Sequence, residues 1–181
     1  ATFDLATIDD AIADNGETIV LTITTVDDGG FESLALGTDT VTTTITDDSD
    51  AVTLSIAGPE SVVEGETTTD YTLSLVDADG NAIVAETDVV VTVTYTGTAT
   101  DGSDYTSETS ITIAAGQSSA TFDLATIDDA IADNGETIVL TISTEDDGGF
   151  ESLGVGTGSV TTTITDQIGP DTPAGPEDTA L

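Results

Sequence analysis

The chain has 181 residues, of which 36 are Asp or Glu and none is Lys, Arg or His, so its formal net charge is −36. Without cationic side chains it cannot neutralise nucleic-acid phosphates or dock on an anionic membrane by charge attraction. Catalysis by a histidine base, a cysteine nucleophile or a Schiff-base lysine is also excluded, because these residues are absent. The remaining chemistry of carboxylates, hydroxyls and carbonyls favours a hard cation as partner.

The composition favours a folded domain over a disordered acidic chain. Hydrophobic residues make up 37% of the sequence, and many are β-branched and periodically placed, unlike those of disordered segments. No apolar run is long enough for a membrane span, and no disulfide can form because cysteine is absent. The start at Ala1, without Met or a signal-peptide pattern, predicts a piece of a longer protein.

A long internal repeat organises the chain. Residues 1–47 match residues 120–166 at an offset of 119, with 41 of 47 positions identical. A period of this length is that of a whole domain rather than of a solenoid unit. We therefore expect residues 1–50 to be the C-terminal half of one repeat and residues 51–166 to be a complete repeat.

The complete repeat shows strand signals in chain order and no helix signal. Apolar and polar residues alternate over seven segments, as expected of strands with one buried face: Val52–Ile56, Tyr71–Leu75, Val89–Tyr95, Ile111–Ile113, Thr121–Ile127, Thr137–Ile142 and Val160–Ile164. Turn-forming residues separate them. This pattern predicts an all-β, Ig-like Greek-key antiparallel β-sandwich of about seven strands.

The last residues differ in composition from the repeats. Residues 167–181 contain Pro170, Pro173 and Pro176 and little apolar periodicity, which is typical of a linker. The final residues, Pro176 to Leu181, resemble the opening of a cadherin-like bacterial tandem repeat.

Acidic residues gather in the loops of the complete repeat. The motifs are Val63-Glu64-Gly65, Gly97 to Tyr105, Ala115-Gly116-Gln117, Ile127-Asp128-Asp129 and Gly135-Glu136-Thr137. In this order they resemble the Calx-β domain, a module of the sodium–calcium exchanger's regulatory region and of large RTX-type bacterial surface adhesins. The resemblance covers nearly all of residues 51–166.

The resemblance implies a set of calcium ligands. In the complete repeat these are Glu64, Asp104, Asp128, Asp129, Asp133 and Asp166; in the first copy they are Asp9, Asp10, Asp14, Asp47, Asp48 and Asp50. The complete repeat departs from the family's terminal Asp run, because Gln167 follows Asp166. We therefore expect fewer ions or weaker binding there.

Simple electrostatics supports the same cofactor, Ca²⁺. Two carboxylates about 5 Å apart repel by roughly 3 kcal/mol at an effective dielectric of about 20, against a domain stability of about 5–15 kcal/mol. In a Greek-key sandwich alternate loops meet at one end, so converging acids would need a cation. The alternative is that these acids form an ordinary solvated surface.

Other acidic or polar runs predict ordinary structure. The segments Asp77 to Asn81 and Asp146 to Gly149 are expected to be hairpin turns. The Thr-rich segment Val160–Ile164 could be an ice- or sugar-binding array, but threonine is also simply a good strand former.

The leading functional hypothesis is a non-catalytic structural extender in an extracellular, cell-surface bacterial adhesin. Its partners would be neighbouring repeats and calcium ions, with an ion stiffening the junction near Asp47, Asp48 and Asp50.

An alternative is a module that binds a glycan or protein. Paired carboxylates could also hydrolyse a glycosidic bond, but a sandwich of this size leaves little room for a substrate cleft. Either of the near-identical segments, residues 1–47 or residues 120–166, could complete the half formed by residues 51–119, which further predicts strand exchange between chains.

Overall fold

The computed structural model describes residues 2–129 and 135–166, and within them the chain is all β. No helix in these two ranges is long and apolar enough to cross a membrane. The strands are β1 (Thr18–Thr22), β2 (Thr40–Thr44), β3 (Ala51–Ala57), β4 (Ser61–Val63), β5 (Thr67–Val76), β6 (Val89–Gly97), β7 (Tyr105–Thr106), β8 (Ser110–Ile113), β9 (Ser119–Thr126), β10 (Thr137–Glu145), β11 (Ser152–Val155) and β12 (Ser159–Thr165). The linker predicted for residues 167–181 lies outside the described residues.

Two five-stranded sheets form the complete repeat. One has the order β4-β12-β10-β6-β8 and the other β11-β3-β5-β9-β7. Their inner faces share one core, which runs from Val52 to Ile164 along the chain. The predicted fold class, an Ig-like β-sandwich, is confirmed.

The strand count and pairing differ from the prediction in detail. All seven predicted strands are present, as β3, β5, β6, β8, β9, β10 and β12. The short strands β4, β7 and β11 were not predicted, because none of them alternates apolar with polar side chains as Ile111, Thr112 and Ile113 do in the equally short β8. The sheets are also not purely antiparallel, since β11 pairs with β3 and β12 with β4 in parallel.

Alternation along the strands builds the core, as period-two geometry requires. In β3, Val52, Leu54 and Ile56 face inward, with partly exposed residues between them. In β5, Tyr71 is fully buried, and its ring stacks on Phe122 of β9 at a centroid distance of 5.3 Å. The core therefore joins strands that are distant in sequence.

The first copy has a different environment from its counterpart. Residues 2–50 contain only the two-stranded sheet β1-β2 among their described elements. Phe3 is 73% exposed and Leu5 56%, whereas the matching Phe122 is 7% exposed and Leu124 is fully buried. Since the local sequences are identical, the presence of partner strands makes the difference. In this structure residues 120–166, not residues 1–47, complete the sandwich with residues 51–119.

Candidate metal centre

The corner after β4 brings two predicted ligand segments together. Glu64 is only 4% exposed, and its Oε1 accepts a hydrogen bond of 2.9 Å from the backbone N–H of Asp129. Gly65 has a φ of +76°, and a Cβ there would lie 3.0 Å from the Cβ of Asp128. A side chain at position 65 would thus be strained and crowded, which explains the glycine. The buried Glu64 carboxylate holds the 127–129 loop against this corner.

Thr126 fastens the same corner to the end of β9. Its backbone N–H donates to the Glu66 carbonyl at 3.0 Å, and its hydroxyl lies 2.8 Å from that carbonyl and 3.1 Å from the Val63 carbonyl. The residue is buried. Sequence reasoning missed it, because a threonine at a strand end gives no signal of this role.

Asp104 reaches the 127–129 loop through its backbone. The Ile127 N–H donates to the Asp104 carbonyl at 2.9 Å, while Oδ2 of Asp104 accepts from the Thr100 N–H. Burial, followed by the charges of Asp101 and Asp104, raises the pKa of Tyr105. The nearby Asp101 accepts from the N–H and hydroxyl of Ser107, at 3.0 and 2.8 Å. Asp101 thus stabilises the local turn through its two hydrogen bonds with Ser107.

Asp166 follows β12 at the same end of the sandwich. The preceding Thr165 accepts a 2.9 Å hydrogen bond from the Glu64 N–H, and Oδ1 of Asp166 is buried. Oε2 of Glu136, before β10, is buried as well. The predicted ligand Asp133 lies outside the described residues, so its place in the set stays a prediction.

Backbone contacts therefore bring the segments around residues 64, 104, 128 and 166 to one end of the complete repeat. The carboxylate groups of these segments are not gathered into one cluster. Within residues 2–129 and 135–166, no group of three acidic side chains is arranged so that it could hold a metal ion. The twelve proposed ligands remain predictions.

In the first copy, acidic residues line a cavity of about 420 Å³. They are Asp9, Asp10, Asp14, Glu17, Asp47 and Asp48. A side-chain contact with Asp48, together with the charges of Asp48 and Asp50, raises the pKa of Asp9. Loss of solvation, then the charge of Asp47, raises the pKa of Asp14.

Backbone donors hold part of this arrangement. The Asp14 N–H donates to Oδ2 of Asp47 at 3.1 Å, and the Asp47 N–H donates to Oδ1 of Asn15, also at 3.1 Å. The 9–15 loop and the 46–48 segment are thereby linked. For Asp9 the raised pKa reflects chiefly the nearby Asp48 carboxylate, and the chain has no Lys, Arg or His side chain that could offset this charge.

No protein-family model and no curated protein matches this sequence. Among solved structures, the chain is similar to the apo form of the Calx CBD1 domain, with 18% identity, 64% of this chain and 97% of that chain covered, and a TM-score of 0.47. It is similar to the calcium binding domain CBD12 of CALX1.1, with 16% identity, 64% and 44% coverage and a TM-score of 0.48. Domains 4 and 5 of the S-layer protein SbsC give 18% identity, 71% and 58% coverage and a TM-score of 0.34.

Proposed function

We propose that this chain is a non-catalytic, calcium-binding β-sandwich module that extends a tandem array in an extracellular bacterial adhesin. The observation that carries the proposal is the carboxylate-lined cavity of the first copy, where Asp9 and Asp48 are in contact and the pKa of Asp9 is raised. Calcium is the natural counter-charge, because it binds six to eight oxygens from carboxylates, carbonyls and water.

Each copy would hold ions with six acidic residues, of which four occupy corresponding positions in the two copies. In the first copy the ligands would come from Asp9, Asp10, Asp14, Asp47, Asp48 and Asp50. In the complete repeat they would come from Glu64, Asp104, Asp128, Asp129, Asp133 and Asp166. Bound calcium would supply the positive charge that cancels repulsion between loops. The Glu64 hydrogen bond to Asp129 and the Thr126 contacts hold those loops in place beforehand.

Thermal unfolding tests the proposal. We expect a clear rise in melting temperature in a few millimolar CaCl₂ relative to EDTA, and a much smaller rise in MgCl₂, since a ligand that binds only the folded state stabilises it. The double variants Asp9→Asn/Asp48→Asn in the first copy and Asp128→Asn/Asp129→Asn in the complete repeat should each lose part of the rise. Asp27→Asn/Asp28→Asn is the matched control, because it removes the same charge from an exposed turn in which each Oδ1 accepts a hydrogen bond from a glycine N–H. No rise beyond that in magnesium would refute calcium binding.

The extender role makes a separate prediction about shape. If calcium at the junction near Asp47, Asp48 and Asp50 restricts bending, small-angle X-ray scattering should show a narrower distribution of dimensions with calcium than with EDTA. Identical scattering curves in a sample that demonstrably binds calcium would reject the stiffening role and leave the binding intact.

The alternative, a glycan-binding module, has less support in the complete repeat. Tyr71 and Tyr105 are buried, and the Tyr95 hydroxyl donates to the Glu108 carbonyl at 2.6 Å. None of the three is an exposed platform on which a sugar ring could stack. Glycan-array binding by the chain would favour this alternative instead.

A further inference from the structure

A short loop of the first copy contacts a turn of the complete repeat. The Ala13 N–H donates to the Gly149 carbonyl at 2.9 Å, and the Glu151 N–H donates to the Ala11 carbonyl at 3.2 Å. These two bonds flank an antiparallel bridge between Ile12 and Phe150. In such a pair the side chains approach each other closely, with Cα atoms about 4.5 Å apart.

Apolar contact accompanies the bridge. Ile12 and Ala11 are partly buried and contact the core of the complete repeat, in which Phe150 is 3% exposed. Ile83 and Val84 line the same cleft. Ile8, in the same loop, is 93% exposed, so the loop directs one isoleucine to the neighbouring repeat and leaves the other in solvent.

A second anchor lies where the first copy meets β3. The Asp50 N–H donates to Oε2 of Glu151 at 2.6 Å, and the next residue, Ala51, pairs with Ser152. The turn before β11 therefore contacts both the loop at residues 11–13 and the connection into β3. Two separate segments of the first copy are held by the same turn.

The chemistry of this contact suits a chain whose ionised side chains are all negative. Neighbouring repeats repel, and no salt bridge between side chains can hold them. The contacting segment Ala11-Ile12-Ala13 is uncharged, although it lies between Asp10 and Asp14. Backbone hydrogen bonds and apolar burial are the forces that remain available.

We propose that this contact is the repeat-to-repeat interface of the array. The loop of one repeat docks on the Gly-Phe-Glu turn of the next, which is a head-to-tail contact and can therefore propagate. The sequence carries both parts twice, since Ala11-Ile12-Ala13 recurs at residues 130–132 and Gly149-Phe150-Glu151 at residues 30–32. The interface does not depend on the proposed calcium site, although the docking loop lies between two of its candidate ligands.

Amide hydrogen exchange of the whole chain, followed by NMR in EDTA and in CaCl₂, tests the interface. We expect the Ala13 and Glu151 N–H groups to exchange at least about tenfold more slowly in the natural chain than in Ile12→Asp, in at least one of the two buffers. Ile8→Asp introduces the same charge into the same loop and should leave both rates unchanged. The Glu32 N–H, in an identical Gly-Phe-Glu sequence, is an internal reference that should exchange faster than that of Glu151.

Two results would overturn the interface. The Ala13 and Glu151 N–H groups could exchange without protection in both buffers, or Ile12→Asp could leave their exchange rates unchanged. Protection in EDTA with no calcium binding would uphold the interface while rejecting the proposed function, so the two can fail separately.

Disulfide trapping gives a second measurement, because the chain has no cysteine of its own. Ile12→Cys/Phe150→Cys should form an intramolecular disulfide readily, since bridge-paired residues satisfy disulfide geometry. The control Ile8→Cys/Phe150→Cys carries the same substitution in the core and should form an intramolecular disulfide much more slowly. Equal rates of formation would contradict the docking register.

Discussion

At the scale of single residues, the acids of this chain divide into those with structural hydrogen bonds and those crowded by like charges. Asp77 belongs to the first group, because Asn81 donates to it from both backbone and side chain and lowers its pKa. Asp9 belongs to the second, because contact with Asp48 raises its pKa. The crowded acids are the better indicators of a cation site, since a bound cation would reduce the repulsion between their carboxylates.

The Asp9–Asp48 contact predicts a pH effect. A raised pKa means that Asp9 binds its proton more tightly in the folded loop than in the unfolded chain. The resulting contribution to the free energy of unfolding is complete below the ordinary aspartate pKa of about 3.9 and is lost as pH rises through the raised pKa. Carboxyl NMR titration without calcium should show the pKa of Asp9 falling in Asp48→Asn. Asp39→Asn, outside the cavity, should leave it unchanged; an equal response to both variants would contradict the contact.

At the scale of strands, one polar pair inside the core joins the two sheets. The Tyr71 hydroxyl of β5 is hydrogen-bonded to the hydroxyl of Thr162 in β12, which also donates to the Pro59 carbonyl at 2.8 Å. Thr162 is fully buried, and burial raises the pKa of Tyr71 while this hydrogen bond opposes the rise. Removing one partner of such a buried pair leaves the other without its hydrogen bond, which destabilises the fold.

Thr162→Val should therefore lower the free energy of unfolding by about 1–3 kcal/mol, because it leaves the Tyr71 hydroxyl buried without its partner. Thr43, the counterpart in the first copy, is exposed in β2, so Thr43→Val should change stability by less than about 0.5 kcal/mol. Chemical denaturation of both variants measures the difference. Similar losses in the two would mean that the pair does not join the sheets as described.

The strands also show what alternation can and cannot predict. The seven predicted strands follow from runs in which one face is apolar, as in β3 and β5. The strands β4 and β11 depend on parallel pairing with β12 and β3, which are distant in sequence, and β7 has only two residues. The Thr126 contacts and the loop at Ala11–Ala13 were missed for the same reason, since their partners are distant in sequence.

At the scale of the whole molecule, identical sequences have opposite environments. Leu5 and Leu124 occupy matching positions, yet Leu5 is 56% exposed and Leu124 is fully buried. The repeat predicted that either segment could complete the half formed by residues 51–119. The period of the repeat favours residues 120–166, but the near-identity of the two segments leaves residues 1–47 as an alternative, since both segments adjoin residues 51–119 in the chain.

Matched truncations test this arrangement. Leu124→Ala should lower the free energy of unfolding of the complete repeat by about 2–5 kcal/mol, the usual cost of a cavity in a core. Leu5→Ala should change it by less than about 0.5 kcal/mol. Equal losses at both positions, or losses that vary with protein concentration, would instead indicate exchange of the two segments between chains.

Titration calorimetry with CaCl₂ in a magnesium-containing buffer measures calcium binding by the acidic loops. Saturable binding is the predicted result, with at least tenfold weaker affinity at the site of the complete repeat in Glu64→Gln, where the buried carboxylate loses its charge but can still accept from the Asp129 N–H. Glu66→Gln, at an exposed position in the same corner, should bind as the natural chain does. No calcium heat above the magnesium background would contradict the claim and leave a β-sandwich with an acidic, solvated surface.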